Sequence, residues 1–110
     1  MPAPPLSLVQ GTLDLLVLRT LASGTMHGYG IATMVRDCTR GELSIEDAAL
    51  YQSLHRLDRQ GLVDAAWGPS ENNRRARFYT LTAAGRKRLQ QETANWRRYS
   101  RAVEAVLQGT

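Results

Sequence analysis

Arg74, Arg75 and Arg77 fall within four positions of the stretch GPSENNRRARFYTLTAAG, residues 68–85, between a run of turn formers and an aromatic, β-branched run. A guanidinium is always charged and presents a planar fork of donors that matches the oxygens of a phosphate. Asn72 and Asn73 stand just before them, with amides able to bond phosphate oxygens or base edges. The chemistry on offer is recognition of a polyanion. The charge distribution sharpens this. The chain carries a formal net charge of +4, but Arg74, Arg75, Arg77, Arg86, Lys87 and Arg88 against Glu71 give residues 68–88 alone +5, so the rest nets −1. Basic charge gathered in one place is a footprint for a polyanionic partner. A face that only solvates the fold is the plain alternative.

Other chemistries find no support. There is no HExxH, GxSxG, P-loop or CxxC motif, and two histidines and one cysteine lie far apart. No catalytic centre, metal or cofactor is expected. Glu46 and Asp47 read as helix N-terminal charges rather than a catalytic pair. The single Cys38 excludes an internal disulfide, agrees with a reducing compartment and is expected in the core. No apolar run approaches the ~20 residues of a membrane span. Residues 1–6 read as a flexible Pro-rich tail and not a signal peptide, so a cytoplasmic location is expected.

At 110 residues the chain suits one domain with a modest core. Residues 7–23 predict a helix, with Ser7 and Gln10 as a capping box, Val9, Leu13, Leu16, Val17, Thr20 and Leu21 as its apolar stripe, and Gly24 at its end. Residues 27–38 predict a second, with Ile31, Met34, Val35 and Cys38 on its apolar face. The clearest helix is 45–60. Ser44 and Asp47 resemble a capping box, Gly61 closes it, and Leu50, Leu54 and Leu57 fall at i, i+4, i+7. The opposite face carries Ala48, Ala49, Gln52, His55, Arg56 and Arg59. Small residues there let a partner come close, and polar ones can then bond to it.

Residues 62–67 and 76–82 read as two strands of a hairpin with a long tip. A long helix follows over 82–107. Its apolar positions Leu89, Trp96, Tyr99, Val103 and Val106, with Leu107 beside them, follow an a/d seam of the kind that buries itself against another chain. The expected fold is therefore mainly α with a small β-hairpin: a winged helix-turn-helix over 7–82 and a C-terminal dimerisation helix over 83–110. The third helix is the recognition helix and the hairpin the wing.

The sequence also resembles the PadR family of bacterial transcriptional regulators. The matching stretches are GTLDLLVLRTL, MHGYGIA, LYQSLHRLDRQGLV and ENNRRARFYTLTAAG, which together cover residues 11 to about 88. The order of HGY, LY-x-x-L-x-R-L and RR-x-x-Y-x-LT-x-x-G is the specific part, and the single C-terminal helix looks like the compact branch of the family. The resemblance implies a homodimeric DNA-binding repressor. Family members often carry Pro where this chain has Gln52, and a bidentate contact to adenine is chemically available to Gln52. Some relatives respond to planar aromatic compounds, which marks Trp96 as a platform for a small aromatic effector as well as a dimer contact.

The reading is a homodimeric, sequence-specific repressor on double-stranded, palindromic DNA. Ala48, Ala49, Tyr51, Gln52, His55 and Arg56 would face the major groove, and Asn72, Asn73, Arg74, Arg75 and Arg77 the backbone or minor groove. Tyr51 would reach a phosphate through its hydroxyl. His27 is expected to make a structural hydrogen bond, Tyr29 to pack, and Trp67 to pack the wing onto the body. The alternative is a winged-helix module that offers its basic wing to an acidic protein partner.

Overall fold

The core is organised by Leu50, Leu54 and Leu57, all at most 1% exposed, on a helix that runs Asp47–Arg59. In this computed structural model, which describes Leu8 and residues 11–109, the elements follow as α1 (Thr12–Leu21), β1 (Met26–His27), α2 (Gly28–Cys38), α3 (Asp47–Arg59), β2 (Val63–Pro69), β3 (Arg75–Leu81) and α4 (Ala83–Leu107). The α3 leucines meet Val17, Leu18 and Leu21 of α1, Ile31 and Val35 of α2, and Val63, Tyr79 and Leu81 of the strands.

Several boundaries differ from expectation. Helix α1 begins at Thr12 behind Gly11, whose φ of 87° is left-handed backbone that favours glycine. The predicted Ser7–Gln10 box and Val9, like the tail at 1–6, lie outside the described residues. The Ser44–Asp47 box does not form. The N-cap of α3 is Glu46, and no side chain caps the helix there. Gly61 does close α3, at φ 74°, with the Leu62 amide donating to the Leu57 carbonyl at 2.9 Å. Cys38 is exposed rather than in the core, because it sits at the last position of α2 where the apolar stripe runs past the body.

A third strand was not expected. The sheet order is β1-β3-β2, all antiparallel, with Met26 opposite Tyr79 and His27 opposite Phe78. His27 leaves the strand directly into α2, and its Nδ1 accepts the Gly30 amide at 3.0 Å. The hairpin register sets Val63 opposite Leu81, Ala65 opposite Tyr79, Trp67 opposite Arg77 and Pro69 opposite Arg75. One face of the ribbon is thus core at its base and aromatic and cationic at its tip.

Helix α4 is fastened at its start. Thr82 Oγ1 accepts the Gly85 amide at 3.0 Å and donates to the Gly61 carbonyl at 2.8 Å. Gly85 is the buried residue of α4, and a Cβ on it would stand 2.1 Å from the Leu62 carbonyl oxygen and 2.7 Å from Leu81 Cδ1. The backbone at Leu62, just before β2, therefore would have to move for any other residue. Gly85→Ala should lower stability by about 3 kcal/mol, the upper range for overpacking, although alanine favours helix. A urea midpoint within experimental error of the parent would show the junction to be slack.

Candidate nucleic-acid interface

With its leucines turned inward, α3 exposes Ala48, Gln52, His55 and Arg59 on its outer face, with Ala49 half-buried at one edge. Tyr51 lies on the flank toward α2, and a Cβ on Gly28 would stand 3.3 Å from its Oη. Tyr51 therefore packs one edge on the start of α2 while half of it remains exposed. On that same side Gln52, His55 and Asp58 border a small cleft closed by Arg77 and Tyr79. Arg77 Nη2 approaches Asp58 Oδ2 at 3.8 Å across it. Burial pushes the Tyr79 hydroxyl above its ordinary pKa, with Arg77 pulling it back.

The opposite flank corrects an expectation. Arg56 is not a free cation on the outer face. Its Nη2 donates to Asp14 Oδ1 at 2.6 Å and its Nε to Asp14 Oδ2 at 3.2 Å. Ser53, fully buried on the same flank, donates its Oγ proton to Asp14 Oδ1 at 2.6 Å. A carboxylate from the first turn of α1 thus clamps two residues of α3, and the hydrogen bond that Arg56 donates to Asp14 raises the Arg56 pKa. Asp14 and Ser53 were not singled out in the sequence, because their pairing spans 39 positions.

The wing tip is a turn in which the Ser70 amide donates to the Arg74 carbonyl at 2.7 Å and Asn73 takes a left-handed φ of 59°. Asparagine tolerates that conformation better than most residues. Asn72, Asn73, Arg74, Arg75 and Arg77 are all exposed. Trp67 does not pack the wing onto the body. It is 58% exposed, and the guanidiniums of Arg75 and Arg77 lie over its ring at 5.3 and 5.7 Å. The register explains this, since Trp67 faces Arg77 directly and Arg75 one step diagonally on the same face. Such contacts hold cations in place without neutralising them.

Tyr29 is likewise no packing residue, at 74% exposed. It stands at the start of α2, and together with Tyr51, Trp67, Arg75 and Arg77 it lines an open cleft of about 1010 Å³ between α2 and the wing. The sequence placed Arg75, Arg77 and Tyr51 in a site. It missed Tyr29 and Trp67, and the only available signal was their position next to glycines at the ends of elements.

Helix α4 carries the predicted seam differently along its length. Leu89 is partly buried against the core of its own chain. Trp96, Tyr99, Val103, Val106 and Leu107 are exposed, and the Trp96 and Tyr99 rings lie 6.2 Å apart. Among the described residues no group of three or more His, Cys, Asp or Glu is placed to hold a metal, and no helix is long and apolar enough to cross a membrane.

Residues 17–91 match the family described as the transcriptional regulator PadR-like family. The chain belongs to the PadR-like family. The match runs from Val17 of α1 to Gln91 of α4, and so takes in α2, α3 and the wing but stops before the aromatic row. Solved PadR-like structures agree over a longer span. A PadR family regulator from Eggerthella lenta is 28% identical, covering 92% of this chain and 86% of that one with a TM-score of 0.77. A PadR family regulator from Clostridium difficile is 26% identical over 88% and 99%, with a TM-score of 0.75. A transcriptional regulator from Clostridium thermocellum is 26% identical over 87% and 93%, with a TM-score of 0.80. The protein is thus a winged-helix transcriptional regulator of the PadR-like type, a family of DNA-binding regulators.

Proposed function

We propose that this PadR-like regulator acts as a homodimeric, sequence-specific repressor, with α3 in the major groove and the wing on the backbone or minor groove. The observation that carries this is the pairing of an α3 face left exposed among the described residues with cations held ready beside it. Ala48, Gln52, His55 and Arg59 are exposed, and the cleft next to them is walled by Arg75 and Arg77 stacked on Trp67. Base edges specify and phosphates position. Gln52 supplies the amide for the first task, while the wing arginines with Tyr29 and Tyr51 supply the second.

Dimerisation is supported by the exposed apolar row Trp96, Tyr99, Val103 and Val106, which finds no cover among the described residues. A two-fold dimer reads two half-sites, so its operator is palindromic. A planar aromatic effector would stack on Trp96 and Tyr99 within that row. Occupancy of a promoter by such a dimer represses by exclusion.

Two contrasting variants test the reading on duplex DNA. Gln52→Ala should cost about 1–3 kcal/mol on the operator and relax preference at one base pair, with random duplex unaffected. Arg75→Ala should weaken operator and random duplex alike and flatten the slope of log affinity against log salt by up to about 2, since a dimer loses two phosphate contacts. Weak, sequence-blind binding by the parent would favour an acidic protein partner instead. For assembly, Trp96→Asp should give monomer at micromolar concentration in sedimentation, because the seam would bury an unpaired charge. A dimer that persists would move the interface elsewhere.

A further inference from the structure

We propose that Asp14 is a specificity-determining residue: it neutralises and fixes Arg56 so that this cation of the recognition helix adds no sequence-independent attraction to DNA. The inference rests on the reading that α3 faces DNA. The geometry supplies three independent parts of the case. First, the contact is side-on. Asp14 takes Nε and Nη2 of Arg56 through both carboxylate oxygens, at 3.2 and 2.6 Å. This two-point arrangement fixes the guanidinium plane as well as its distance. Second, the carboxylate is itself held. Ser53 Oγ, fully buried, donates to Asp14 Oδ1 at 2.6 Å, so Asp14 cannot swing out to follow Arg56 without breaking a bond inside the domain. Third, the pair lies at the surface and not in the core, with the side chains of Arg56 and Asp14 44% and 30% exposed. Arg56 is therefore within reach of a nucleic acid lying along α3, and yet it arrives with its charge already matched.

The consequence concerns discrimination. A regulator must prefer its site over a large excess of other duplex, and every free cation on the recognition helix strengthens both kinds of binding equally. Arg75 is held over a neutral indole and keeps its full charge, and Arg77, over the same ring, meets only a single approach at 3.8 Å from Asp58. Arg56, by contrast, is paired with a carboxylate from another helix. Within one surface the cations are thus sorted, with phosphate attraction assigned to the wing and withheld from this flank of α3.

Asp14→Asn preserves the size of the side chain and an acceptor for Ser53, so it removes the charge match with little change to packing. Salt titrations on random duplex should show the slope of log affinity against log salt steepening by up to about 2, as each subunit of the dimer gains one phosphate contact at about 0.9 apiece. Affinity for random duplex should rise and the operator-to-random ratio fall. The Asp14→Asn/Arg56→Gln double variant, neutral on this flank like the parent, should return the slope to the parent's, which separates release of Arg56 from the general loss of a negative charge. The inference is overturned by an Asp14→Asn slope equal to the parent's, by steepening that survives in the double variant, or by an operator-to-random ratio that Asp14→Asn leaves unchanged. A parent chain with no salt-dependent duplex binding would overturn the DNA-facing reading of α3 and this inference together, whereas the three outcomes above leave that reading intact.

Discussion

A backbone contact that leaves no room for a methyl group sets the directions of half the molecule. Where α4 passes the link between α3 and β2, Gly85 lies so close to the Leu62 carbonyl that a Cβ would stand 2.1 Å from it. Three elements converge there. Helix α3 ends through Gly61 into Leu62 and β2, β3 ends at Leu81, and α4 starts behind Thr82, whose hydroxyl ties Gly61 to Gly85. The recognition helix, the wing and the long terminal helix consequently leave one knot at fixed angles. In the proposed dimer, whatever holds two α4 helices together also sets the separation and tilt of two α3 helices, without a flexible joint between them.

The electrostatic layout follows from which cations find partners once that frame is in place. The two flanks of α3 each carry an acid–arginine pair: Asp14 with Arg56 toward α1, and Asp58 with Arg77 toward the wing. They are not equivalent. The first is a close, two-point bond braced by a buried serine, whereas the second is a single approach at 3.8 Å by an arginine that also lies over Trp67. A surface pair of the second kind contributes little to stability and yields easily to a competing anion. The cations around α3 are thus graded by how readily each can be drawn away from its partner by a competing anion.

Most of the fold was legible because it rests on short-range pattern. The spacing of Leu50, Leu54 and Leu57, the turn formers before the arginines and Gly61 after α3 are local signals, and each was realised. What escaped was non-local. Strand β1 has two residues, too few for any periodicity, and exists only because β3 offers it an edge. Arg56 looked free because its partner lies 42 positions earlier on another helix. Trp67 and Tyr29 were assigned to packing on the general rule that large aromatics bury themselves. That rule gave way because the hairpin extends beyond the body and the start of α2 faces open space. Cys38 failed as a core residue for the same reason, at the end of a stripe that outruns the core it serves.

The order β1-β3-β2 has a further consequence. Among the described residues it leaves β2 as an outer strand, and because β1 reaches only Phe78 and Tyr79, the opposite side of β3 is uncovered over Arg75–Arg77. Bare strand edges are templates on which a second chain can add itself, the first step toward fibrous aggregates. Here the bare edges are guarded. Pro69 removes a donor from β2, and any chain that tried to lie along the tip of β3 in register with its own copy would set arginine against arginine. The arginines that give the wing its positive charge thus also make it repellent to a second copy of itself.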